Sequence, residues 1–124
     1  MIWHKVDSFF ELPRVHLKVA LKSPLWKYTC KSTMALSLYL SVFRRSMKEQ
    51  IYEAKLCGFN YEAYYNFDSI IFEISGYSEN MDRFVEMLSN NLRCFKVDQD
   101  NFSACKIEQK NWIESFNHRR PIDM

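Results

Sequence analysis

The stretch Glu49–Tyr61, Glu-Gln-Ile-Tyr-Glu-Ala-Lys-Leu-Cys-Gly-Phe-Asn-Tyr, changes its hydrophobic period partway along. Leading into it and through its first half, Leu36, Leu40, Phe43, Met47, Ile51 and Ala54 recur at steps of three and four, which places them on one face of a helix. Gly58 follows, where a left-handed residue closes a helix at little steric cost. From Phe59 the period is two: Phe59, Tyr61, Ala63, Tyr65 and Phe67 alternate with Asn60, Glu62, Tyr64 and Asn66. A helix that ends at a glycine and passes straight into a strand must lie back across the sheet that strand joins. The chain is therefore expected to build a helix-on-sheet core, not a bundle.

The flanking segments extend this pattern. Trp3–Lys5 reads as a short strand, and Pro13 as the start of the next, where its missing donor does little harm. In that next strand Val15, Leu17, Val19 and Leu21 alternate with His16, Lys18, Ala20 and Lys22, so one face should be dry and the other wet. Residues 25–31 read as a loop, and Ser32 or Thr33 as the cap of one long helix from about Thr33 to about Leu56. Turn residues at 66–69 predict a hairpin whose second arm is Ile70–Ser75, ended by Gly76. Ser78 or Asn80 caps a second helix with Met81, Phe84, Leu88, Leu92 and Phe95 on one face. A third helix begins near Asn101, carries Phe102, Cys105, Trp112 and Phe116 with Gln109 as a polar interruption, and ends before His118-Arg119-Arg120-Pro121. The order β-β-α-β-β-α-α predicts an α+β two-layer sandwich, with an antiparallel sheet and helices packed on one face.

At 124 residues, 48% of them hydrophobic, the chain has material for one core, and ten Phe, seven Tyr and three Trp make that core aromatic. A net charge of +2 is too balanced to point to nucleic acid or an anionic membrane surface, so neither is expected as a partner. Cys30, Cys57, Cys94 and Cys105 lack C-x-x-C spacing and read as free thiols of an intracellular protein. The N-terminus is charged by Lys5 and is not a signal peptide, and no apolar run approaches the roughly 20 residues that span a bilayer. A soluble, cytoplasmic protein is the expectation.

Little in the residue types announces chemistry. His4, His16 and His118 have no His or Glu at helical zinc-ligand spacing, although His4 would meet His16 if their strands paired. Two isolated glycines cannot form a phosphate cradle. Cys30 and Cys57 have no neighbour that would activate a thiol. Arg44, Arg45 and Lys48 read as a solvated helix face, and Glu49 and Glu53 as surface charges beside Lys48 and Lys55. The hairpin rings Tyr61, Tyr64, Tyr65, Phe67 and Phe72 invite comparison with base-stacking sheets, but the residues that accompany such platforms are absent and core packing explains the alternation. No catalytic, cofactor-binding or metal-ligating residue is assigned.

Several stretches, in order, nevertheless resemble one family. Trp3-His-Lys5-Val-Asp7 with Phe10 and Leu12-Pro13-Arg14, the strand ending at Ser23-Pro24, and Glu49, Tyr52, Ala54, Leu56, Gly58, Phe59 and Tyr61 are similar to the third, or middle, domain of the insulin-degrading, pitrilysin-type inverzincin zinc metalloproteases. Gly76-Tyr77, and Phe95, Asp98 and Phe102, continue the likeness. Cys57 stands where that family usually has Ala, and a small thiol should fit there. The motif residues Trp3, Pro13, Tyr52, Ala54, Gly58, Tyr61, Gly76 and Tyr77 are implied to be structural. The resemblance implies a single partial domain over 1–124, the first half of the family's domain. It also implies no zinc in this chain, since the H-x-x-E-H ligands and base belong to another domain of the parent enzyme. The expected role is a non-catalytic wall of a peptide-enclosing chamber, partnered by the remaining domains of a parent protease and meeting peptide substrate only in that context. The alternative is a stand-alone interaction or regulatory module that pairs with a full-length relative.

Overall fold

The computed structural model describes residues 1–24 and 26–116. The elements run β1 (Arg14–Lys22), α1 (Cys30–Ser46), α2 (Lys48–Leu56), β2 (Asn60–Tyr65), β3 (Ser69–Tyr77), α3 (Met81–Arg93) and α4 (Gln99–Phe116). The three strands form one antiparallel sheet in the order β1-β3-β2. This is the expected α+β fold, with helices on one face of an antiparallel sheet.

The core lies between that face and the helices. Tyr61 and Ala63 of β2 stand opposite Ile74 and Phe72 of β3. All four are buried with Phe59, with Leu40, Phe43, Met47 and Ile51 from α1, α2 and the residue between them, and with Met81, Phe84 and Leu88 of α3. Phe43 is fully buried. Its ring meets Phe95, just past α3, edge-on at 5.2 Å, while Phe59, ahead of β2, stacks on Phe84 of α3 at 5.1 Å, so α3 and the residues after it are held by rings from α1 and from the α2–β2 turn. The predicted stripe of α3 is the one it buries.

The predicted long helix is divided at Met47, whose φ and ψ are −97° and 6°. The Ser46 hydroxyl donates to Phe43 O at 2.8 Å, the same carbonyl that accepts from Met47 N at 3.1 Å. A side chain competing for a ladder acceptor loosens the helix locally. Ile51 N still donates to Met47 O at 2.9 Å, so the apolar face runs on unbroken. The helix also begins earlier than expected. Thr29 is the cap, its hydroxyl oxygen accepting from Ser32 N at 3.2 Å, and Cys30 is already helical. At the far end the structure matches the sequence reading: Gly58 has φ +87°.

Four further expectations are corrected. Trp3–Lys5 is not a strand. Residues 1–13 are exposed, and Asp7 Oδ1 instead accepts from Phe9 N and Phe10 N in a local turn. The strand pairing that would bring His4 to His16 is therefore absent. Gly76 does not end β3 but lies within it opposite Val15, because β1 pairs on through Arg14 and Tyr77. The apolar side of β1 is not dry: Leu17 packs against the core, while Val15, Val19 and Leu21 stay exposed. On α4 Cys105 is buried and Asn101, Phe102, Ala104 and Gln109 are partly so, whereas Trp112 is half exposed. Gln109 Nε2 donates to Met34 O at 3.1 Å, so the polar interruption helps to tie α4 to α1. The predicted stop at residues 118–121 lies outside the described residues.

Phe43→Ala removes a fully buried ring packed edge-on against Phe95 and should cost about 3–5 kcal/mol in urea unfolding. Val42→Ala, buried but outside the main cluster, should cost less. Equal losses at the two sites would contradict this ordering.

Candidate functional site

The motif residues fall into two groups, with Trp3 and Pro13 apart from both. Trp3 is exposed; Pro13 contributes its carbonyl, which accepts from Ser78 N at 2.9 Å. Ala54, Gly58, Gly76 and Tyr77 meet where α2 turns into β2. Ala54 O accepts from Cys57 N and Phe59 N, closing the turn. The Tyr77 ring covers Gly58 so closely that a Cβ there would sit 3.2 Å from it, and a Cβ on Gly76 would stand 2.4 Å from Phe59 Cδ1. Arg14 in turn lies over the Tyr77 ring at 5.3 Å from its centroid.

The second group borders a cleft of about 920 Å³ between α1, α2, β2 and α4. Tyr52 and Tyr61 both line it, Tyr52 exposed and Tyr61 buried. Its rim carries Arg44, Arg45, Lys48 and Lys55 against Glu49, Glu53 and Glu108. Arg44 and Arg45 face solvent as expected, yet both are tethered. Arg44 donates to Ala63 O at 2.9 Å, and Arg45 pairs with Glu108 Oε1 at 2.9 Å. The Tyr61 hydroxyl is buried and finds no hydrogen-bond partner among the described residues. Burial pushes its pKa up to about 12, against the opposing pull of the Arg44 charge. Burial likewise raises Tyr39.

The chemistry of this cleft is that of a charged, partly apolar groove. No histidine lines it, and its one thiol, Cys105, is buried. Among the described residues no group of three His, Cys, Asp or Glu side chains is placed to hold a metal ion, and His118 lies outside them. All four thiols are free, with Cys30, Cys57 and Cys94 exposed. No helix of the described residues is long and apolar enough to cross a membrane. The cleft itself was not legible in the sequence. Its floor residue Tyr61 appeared only as a core position of β2, and α4 is brought there by the Gln109 contact that periodicity treats as a flaw.

Residues 1–124 match the family model described as the middle or third domain of peptidase M16. The chain is 26% identical over 116 residues to mug138 of Schizosaccharomyces pombe, covering 94% of this chain and 12% of that protein. It is 22% identical over 120 residues to the insulin-degrading enzyme of Homo sapiens, covering 97% of this chain and 12% of that enzyme. It is 19% identical over 94 residues to nardilysin of Homo sapiens, covering 76% of this chain and 8% of that protein. The chain thus spans about an eighth or less of the length of the curated relatives it matches.

Tyr61→Phe removes a buried hydroxyl that has no partner, so stability at neutral pH should hold or rise, by up to about 1–3 kcal/mol in urea unfolding. The alkaline limb carries a sign. A phenol that holds its proton more tightly when folded contributes stability that is complete below pH about 10 and is lost as pH rises towards about 12. Tyr61→Phe should flatten that fall, leaving the part due to Tyr39. A fall unchanged by the substitution would contradict the assignment.

Proposed function

The chain belongs to the middle- or third-domain family of peptidase M16, and from that membership we propose that it is a non-catalytic structural domain of an insulinase-like zinc metalloendopeptidase, forming part of a peptide-enclosing chamber wall. The observation that carries this reading is the whole-length match, 1–124, to a domain of that kind. The geometry supports it. The ring-on-glycine packing at the α2–β2 turn is what rigid scaffolding requires. The zinc that such an enzyme uses does not fit the described residues, which place no three suitable ligands together, so no chemical step is assigned to it here.

In this reading 1–124 is the first half of the family's domain, and its partners are the remaining domains of a parent protease. Peptide substrate is met only in their company. The free thiols favour the cytoplasm. A second reading, an interaction module that pairs with a full-length relative, is favoured by one observation: Val15, Val19 and Leu21 leave an apolar strip of the sheet uncovered.

The isolated chain should give no turnover of a quenched fluorogenic peptide, with or without added zinc. Chelator-sensitive cleavage that scales with chain concentration and survives further purification would sink the non-catalytic assignment. Copurification from cells separates the two readings: a longer polypeptide containing this sequence supports the first, and a separate full-length relative supports the second.

A further inference from the structure

Two side chains in the cleft between α1, α2, β2 and α4 hold donors that no acid answers. Tyr61 is 7% exposed and lines the cleft, and its hydroxyl meets no acceptor among the described residues. A phenol buried in that state loses its water without gaining a partner, which is why such groups in folded proteins are nearly always bonded to something. Arg44 donates to Ala63 O at 2.9 Å and forms no ion pair among the described residues. A guanidinium has five N–H groups, so most of its donors remain to be used. The bond to Ala63 O fixes it two residues along β2 from Tyr61, about 7 Å of strand, on the residue that shares the core face with Tyr61. Arg44 is close enough for its charge to act on the hydroxyl. The neighbouring Arg45 is different, because Glu108 already holds it.

We propose that the Tyr61 hydroxyl and the Arg44 guanidinium form a subsite for one carboxylate, with one oxygen accepting from the hydroxyl and the other from an unused N–H of Arg44. A neutral donor and a single cation match one negative charge, and hydrogen bonds to an ionised acceptor are the strong ones. A dianion such as phosphate suits the place less well, because Glu49, Glu53 and Glu108 line the same cleft and repel added negative charge. The buried Ile51 and the ring of Tyr52 also line it, so its roughly 920 Å³ accommodates an apolar group behind the carboxylate. The class of ligand is therefore a monocarboxylate with an apolar body. That chemistry has two sources, a free carboxylic acid or a carboxyl group carried by the rest of a longer polypeptide that contains this sequence. In both cases an oxygen anion meets the same two donors. The subsite stands whether or not the chain serves as a protease wall.

The test uses the full chain with hydrocinnamate and, as an uncharged control of the same shape, hydrocinnamamide, followed by amide NMR shifts at neutral pH and constant ionic strength. The acid should bind at least about tenfold more tightly than the amide, with shifts centred on Arg44, Tyr61 and Ala63. Tyr61→Phe keeps the ring and should weaken the acid by about tenfold, and the amide by less. Arg44→Met, checked for folding by circular dichroism, should bring the acid down to the level of the amide. Equal binding of acid and amide by the unaltered chain would overturn the proposal. So would undiminished binding of the acid to Tyr61→Phe, or sulfate displacing the acid as readily as acetate does, which would show an adventitious ion only. Repeating the titration on a longer polypeptide that contains this sequence separates the two sources. Binding there makes the source a free acid. No binding, together with a loss of stability on Tyr61→Phe that the isolated chain does not show, makes it a carboxyl group of that polypeptide. No binding and no such loss would again overturn the proposal.

Discussion

The Phe59 ring occupies the space a side chain on Gly76 would need, and the Tyr77 ring does the same at Gly58. These two contacts decide how the chain turns from helix into sheet. Gly58 supplies the positive φ that ends α2. Gly76 lets the strand backbone pass beneath the ring that leads into β2. Because the rings and the glycines alternate between the two sides of the turn, neither contact can be made without the other. The direction in which α2 leaves the sheet is therefore set by shape, and the core stripe of α1 and α2 is delivered to Phe72 and Ile74 as a consequence.

From that placement the rest of the packing follows. Phe43 is carried against Phe95, and Phe59 against Phe84, so α3 is held near its start and the chain is held again just past its end. Arg44, one residue beyond Phe43, points away from the core and reaches Ala63 O, binding α1 to the edge of β2. Arg45 continues round the helix to Glu108 on α4. Three successive residues of one helix thus serve three neighbours. The cleft is the space left between them, and the buried hydroxyl of Tyr61 is the cost of filling its floor with an aromatic ring.

Much of this was legible in the residues because it depends on local rules. The switch of period at Gly58, the β2–β3 hairpin and the stripe of α3 each follow from spacing that one element sets by itself. The family likeness, drawn from residues scattered between Trp3 and Phe102, agreed with the whole-length match. What was not legible depends on partners distant in sequence. Trp3–Lys5 has the composition of a strand, but it stays exposed ahead of a local turn closed by Asp7. Val15, Val19 and Leu21 have the alternation of a buried face but stay exposed among the described residues. Met47 sits on the expected stripe, and the division there comes from a serine hydroxyl competing for a carbonyl, which hydrophobic spacing does not register. The cleft joins α1 to a helix more than sixty positions away, through a glutamine.

The sheet order places β3 in the middle, with neighbours of very different origin. β2 reaches it through a short turn in which Asn66 N donates to Ser69 O at 2.8 Å. β1 reaches it only after α1 and α2 have been traversed, with Lys22 opposite Ser69 and Arg14 opposite Tyr77. Closing a loop costs conformational entropy that grows with its length, so nearly all of that cost in this sheet falls on one ladder. The hairpin is a local structure that forms on its own stretch of chain, whereas β1 has to be recruited from afar. Among the described residues β1 is thus the strand whose attachment is entropically dearest, and whatever steadies its ladder with β3 also fastens the two ends of the long excursion through α1, α2 and β2.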